Sequence, residues 1–98
     1  MQEVSSSMSI FAQEFLAKIS NFNRLTRDLR KCGIEIKYLG LLDNKIVIEQ
    51  NSSHQLHHEF GNELRGMNYR TEGRVTRNTL MVRGVDVSWL TLVKEQDQ

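Results

Sequence analysis

The chain has 98 residues, 39% hydrophobic and 26% charged, with a formal net charge of +1; these are ordinary proportions for one globular domain near the lower size limit of a self-sufficient core. No apolar run approaches the roughly 20 residues that a membrane helix needs, and the near-neutral charge argues against a bulk polyanion binder. The single cysteine, Cys32, excludes an internal disulfide and a thiolate zinc site of its own, and the absence of proline excludes a proline-rich linker or ligand.

The first seven residues lack the basic start and apolar block of a secretory signal, so a cytoplasmic, reducing setting is expected. Residues 1–8 are polar and serine-rich and are expected to be flexible, as are 95–98, with a single α+β domain over 9–94. Phe11, Phe15, Ile19, Phe22, Leu25, Leu29 and Cys32 recur at steps of three and four. That spacing predicts one long helix from about residue 9 with a continuous apolar stripe, in which both Phe15 and Phe22 are core. Ser7 or Ser9 is placed to cap it, and Gly33 to stop it in the left-handed conformation.

Past Gly33 the period becomes two. Ile34, Ile36 and Tyr38 alternate with Glu35 and Lys37, and Ile46 and Ile48 repeat the alternation after an Asp43-Asn44 turn, which predicts a hairpin. Asn51-Ser52-Ser53 then reads as a loop and helix cap, with Leu56, Phe60 and Leu64 at helical steps and Gly66 as the stop. A second hairpin is expected from Tyr69, Thr71, Gly73 and Val75 through a Thr76-Arg77-Asn78 turn into residues 80–82. Over residues 84–94, Val85, Val87 and Trp89 favour a strand over a short helix capped by Asp86. The expected fold is thus α+β in helix-hairpin-helix-hairpin order, two helices packed on one face of a mainly antiparallel four-stranded sheet.

No residue set rises to a specific chemistry. His54 and His58 lie four apart on the second predicted helix, where both imidazoles reach one ion, yet no third imidazole or thiolate accompanies them and no metal site is expected. Cys32 sits on the apolar line beside a helix C-terminus, where the dipole disfavours a thiolate. Ser88, Asp86 and the histidines form a triad only on paper, because no nucleophile elbow surrounds the serine. Glycines are scattered singly, so there is no phosphate loop. Neither catalytic activity nor a cofactor is expected.

Positive charge is clustered. Residues 18–37 hold six basic side chains against two acidic ones, and residues 65–83 hold five arginines against one glutamate. Arg24, Arg27 and Lys31 project opposite the apolar stripe, with Arg70, Arg74 and Arg83 expected on the outer sheet face. Tyr38 and Tyr69 align with inward residues, so a stacking platform for single strands is missing. The surplus of apolar residues, Leu39, Leu41, Leu42 and the tail from Trp89, favours protein contact and is compatible with a homo-oligomer. The expectation is a small, non-enzymatic accessory or regulatory protein that binds and modulates a protein partner or larger complex, with weak, sequence-nonspecific nucleic-acid binding through the arginine clusters as the alternative. Its contact set is Arg24, Arg27, Lys31, Arg70, Arg74 and Arg83, with Trp89 as an aromatic anchor.

Overall fold

The computed structural model describes residues 6–93, with side chains from residue 11 onward. The two termini set apart above therefore lie largely outside the described residues. Helix α1 spans Ser6–Lys31, followed by strands β1 (Ile36–Gly40) and β2 (Lys45–Ile48), helix α2 (Ser53–Phe60), and strands β3 (Leu64–Glu72), β4 (Val75–Val82) and β5 (Val85–Leu92). Gly33, at a φ of 82°, ends α1 after the basic pair Arg30 and Lys31.

The five strands form one mixed sheet in the order β1-β2-β5-β4-β3. All pairings are antiparallel except β2 with β5, which run parallel through Ile46 opposite Val87 and Val47 opposite Ser88. This overturns the four-stranded, mainly antiparallel sheet in helix-hairpin-helix-hairpin order. Three local events account for the difference. First, α2 ends at Phe60 and passes through a 3₁₀ turn at Gly61–Glu63, so Leu64 opens a strand instead of closing a helix. Gly66, with a φ of 57°, sits in the register shift between Arg65 and Asn68, where a left-handed glycine makes a β-bulge. Second, the β3–β4 reversal falls at Gly73-Arg74, since Glu72 pairs with Val75, and Gly73 supplies the positive φ of 64° at the first loop position. Thr76, Arg77 and Asn78 stay extended inside β4 and pair with both β3 and β5. Third, residues 85–92 are a full strand and occupy the centre of the sheet.

Both helices pack on one face. Phe22, Leu25 and Leu29 of α1 and Leu56 and Phe60 of α2 meet Ile46 and Ile48, Leu80 and Val82, and Val85, Val87 and Trp89 in a single cluster. The alternation along β4 and β5 sends Asn78, Leu80, Val82, Val85, Val87 and Trp89 to that face, and turns Arg77, Thr79, Met81, Asp86, Ser88 and Leu90 away from it. The opposite sheet face carries no layer among the described residues. No described helix is long and apolar enough to cross a membrane.

The stripe of α1 does not behave as one unit. At ~1.5 Å per residue its 26 residues reach about 39 Å, and only the C-terminal half lies over the sheet. Phe22 is 3% exposed, whereas Phe11, Phe15 and Leu16 are 69%, 52% and 63% exposed. Helical periodicity reports that residues share a side; it does not report whether anything covers that side. The overhang explains why the molecule measures 70 × 28 × 22 Å. Phe22→Asp is therefore expected to abolish the cooperative thermal transition followed by circular dichroism, because it buries an unpaired charge. Phe15→Asp is expected to keep that transition; its loss would place Phe15 in the folding core.

Candidate functional site

The most highly connected charged residue is Arg83. Arg83 and Gly84 form the two-residue loop joining β4 to β5, since Val82 pairs with Val85, and their φ values of 52° and 80° are those of a type I′ turn. A side chain in that left-handed position costs ~1–2 kcal/mol. The Arg83 guanidinium donates to Asp28 Oδ2 of α1 at 2.7 Å and to Glu63 Oε1 at 2.7 Å, and lies over the Phe60 ring at 5.6 Å. Its backbone carbonyl accepts from the Asn21 amide at 2.9 Å. The Asn44 amide donates to Gly84 O at 2.7 Å, and Asn44 O accepts the Asp86 N–H at 3.1 Å. The β1–β2 loop, the β4–β5 loop and α1 are thus fastened at one end of the sheet. Arg83 belongs to this fastening. It does not lie with Arg70 on the outer sheet face, and its charge is met internally by two carboxylates.

Trp89 likewise leaves the predicted contact set. It is 5% exposed, inside the core, with the His57 ring edge-on at 5.9 Å. Arg24, Arg27 and Lys31 are exposed on the side of α1 away from the sheet. Arg70 is exposed on the uncovered sheet face, and Arg74 lies in the β3–β4 loop, its carbonyl accepting from Val93 N–H at 2.7 Å. The six basic residues therefore do not form one surface. The α1 row and Arg70 point to opposite sides of the sheet.

The residues that the structure does bring together are Tyr38, Val47, Val75, Arg70, Arg77 and Leu90, all on the uncovered face. Tyr38 reaches it through a register irregularity: Ile36 pairs with Ile48 but Tyr38 pairs with Val47, so two residues of equal parity face opposite sides. The reading of Tyr38 as inward is corrected by that irregularity. Tyr69, opposite Asn78, does share the helix side, but beyond the helices, where it is 67% exposed. Gly40 leaves room for the Tyr38 ring, which passes within 2.9 Å of where a Cβ would stand. Two hollows flank Leu90. One of about 340 Å³ is lined by Arg70, Glu72, Val75 and Arg77, and one of about 370 Å³ by Tyr38, Val47 and Gln50 among others. The signal for this face lay in Leu90 and Leu92, which alternate with Trp89 and must therefore turn away from the core.

The chemistry-bearing residues are dispersed. Ser88 and Asp86 face the uncovered side, while His57 of α2 contacts Trp89 on the other. Burial raises the pKa of the Cys32 thiol, and Glu59, 3.9 Å from its sulfur, adds to the effect together with Asp28. Among the described residues no group of three or more His, Cys, Asp or Glu is placed to hold a metal ion. The chain matches no family model, no curated protein and no solved structure.

The hydrogen bond from Arg83 holds the carboxyls of Asp28 and Glu63 below their ordinary pKa values of 3.8 and 4.5. Groups whose pKa is lowered by folding stabilise the fold above the unfolded-state value, and lose that contribution as pH falls through the depressed one. Asn tolerates the left-handed loop position without reaching either carboxylate. Arg83→Asn is therefore expected to melt several degrees below wild type at neutral pH, and to lose less further stability than wild type between about pH 5 and about pH 2. Equal acid sensitivity in both proteins would assign that sensitivity to other carboxylates.

Proposed function

We propose that the chain is a small, non-enzymatic accessory protein that binds a protein partner across its uncovered sheet face, taking an apolar segment with an acidic flank. The observation that carries this reading is the direct opposition of Arg70 on β3 and Arg77 on β4. Like charges facing each other across an antiparallel pair repel. Neither makes an ion pair among the described residues, although Glu72 lines the same hollow. A carboxylate bound between the two guanidiniums relieves that repulsion and accepts planar, paired hydrogen bonds. Beside them Leu90, Val47, Val75 and Tyr38 offer apolar contact, with the two hollows as seats for side chains. Duplex or single-stranded nucleic acid is less well suited, because the basic residues are divided between opposite sides and Arg83 is neutralised.

The test is affinity capture from the native host after nuclease treatment, comparing wild type with R70E/R77E. The expected result is a protein retained by wild type and lost by the charge-reversed variant, whose circular dichroism and melting are unchanged. R24E/R27E, on the other side of the molecule, is expected to retain it. Capture that nuclease abolishes would promote the nucleic-acid reading, and capture unaffected by R70E/R77E would remove the sheet face from the role.

A further inference from the structure

We propose that the chain forms a two-fold dimer in which the overhanging N-terminal halves of α1 pair antiparallel, Phe11 of each copy against Phe15 of the other. This proposal is independent of the partner-binding face.

The overhang continues the core-facing side of α1. Phe11, Phe15, Ile19 and Phe22 follow one another at steps of four, four and three, so the side that buries Phe22 on the sheet is the side that leaves Phe11 and Phe15 in water. From Ser6 to residue 20 the helix has no sheet beneath it, and an isolated helix of ~12–15 residues is marginal in water. A second apolar element lies at its root. Leu41 and Leu42 of the β1–β2 loop are 41% and 89% exposed, and with Phe15, Lys18, Ile19 and Asn44 they line a hollow of about 220 Å³. The hollow lies between α1 and the β1–β2 loop, at the root of the overhang.

Charge and length both select a second copy. Residues 6–20 contain one acidic and one basic side chain, Glu14 and Lys18, so two such segments meet without net repulsion. The rest of α1 differs: Arg24, Arg27, Arg30 and Lys31 are opposed only by Asp28. Parallel pairing through the same side would drive the two sheets, which cover that side from Phe22 onward, into each other. Antiparallel pairing sends them to opposite ends of the dimer and keeps each copy's helix clear of the other's sheet. With overhang laid on overhang, the two-fold axis passes near residue 13, and Phe11 and Phe15, equidistant from it, come face to face in both copies. The apolar surface left open on Phe11, Phe15, Leu41 and Leu42 is on the order of 500 Å² per copy, so that two copies approach the ~1,200 Å² at which specific interfaces begin.

Sedimentation equilibrium of the full chain over micromolar to sub-millimolar concentrations tests the pairing. Wild type is expected to run as a dimer, and F11D/F15D as a monomer with wild-type circular dichroism. Wild-type monomer throughout, or a dimer that persists in F11D/F15D, overturns the proposal. Orientation is read by spin-label distances in a C32S background. Labels at Gln13, level with the axis but on the outer side of each helix, are expected roughly 20–30 Å apart, whereas labels at Arg30, about 17 residues from the axis, are expected ~50 Å apart. A short Arg30–Arg30 distance overturns the antiparallel arrangement.

Discussion

Arg83 holds a backbone conformation that its side-chain type disfavours, and the contacts it makes from there join α1, the 61–63 turn and the β4–β5 reversal. Either ion pair alone has the modest strength usual at a partly exposed site. Their joint effect is geometric. With the guanidinium shared between Asp28 and Glu63 and laid on Phe60, the β4–β5 loop cannot move without breaking contacts to two other elements. Asn21 and Asn44 take the two loop carbonyls, so the backbone groups of the reversal are also bound. This fastening brings the β1–β2 loop beside the β4–β5 loop, at the end of the sheet where the parallel pairing of β2 with β5 begins at Lys45 and Asp86. That pairing closes two antiparallel units into a single five-stranded sheet.

Placing β5 at the centre has a consequence for both faces. Its inward residues Val85, Val87 and Trp89 are covered by the helices. Of its outward residues, Ser88 is flanked by Val47 of β2 and Thr79 of β4 and is buried, whereas Leu90 lies past the last β2 pairing and is half exposed. The uncovered face therefore alternates between sealed and open positions. Its open positions are apolar near the middle and basic towards the β3–β4 hairpin. In the proposed function such a surface would hold a partner by shape at Leu90 and by charge at Arg70 and Arg77, and the second contribution would weaken as salt rises.

Several elements were legible in the sequence because their signals are local. The steps of three and four placed α1, Gly33 ended it, and the alternation around Ile46 and Ile48 placed β2. The β-branched Val85 and Val87 pointed to a last strand. What was not legible depended on context. Gly66 reads as a helix stop and Gly73 as a strand position, yet one makes a bulge and the other a hairpin loop, and only pairing with β4 reveals the two roles. The irregularity that turns Tyr38 outward leaves no mark in the alternation of types. Arg83 looked like any other arginine in a basic cluster, because its partners Asp28 and Glu63 are 55 and 20 residues away. Periodicity also overstated the core, since Phe15 fits the stripe as well as Phe22 does while lying beyond the end of the sheet.

The overhang and the uncovered face occupy different parts of the molecule, and this separation decides how they combine. The overhang extends from the end that carries the β1–β2 and β4–β5 loops, on the helix side of the sheet. Arg70 and Arg77 lie towards the opposite end, near the Gly73-Arg74 loop, on the other side. Pairing through α1 therefore covers no residue of the sheet face. A dimer so built carries two identical faces, and a partner with two matching segments binds the second at an effective concentration set by the linker between them. Weak contacts at each face, of the kind a shallow and half-polar surface provides, then add to a stable complex without either face being large. Loss of the helix pairing would leave each single contact intact and remove only that gain. In the proposed dimer, helix pairing and face binding would thus be separable in their contacts and coupled in their effect.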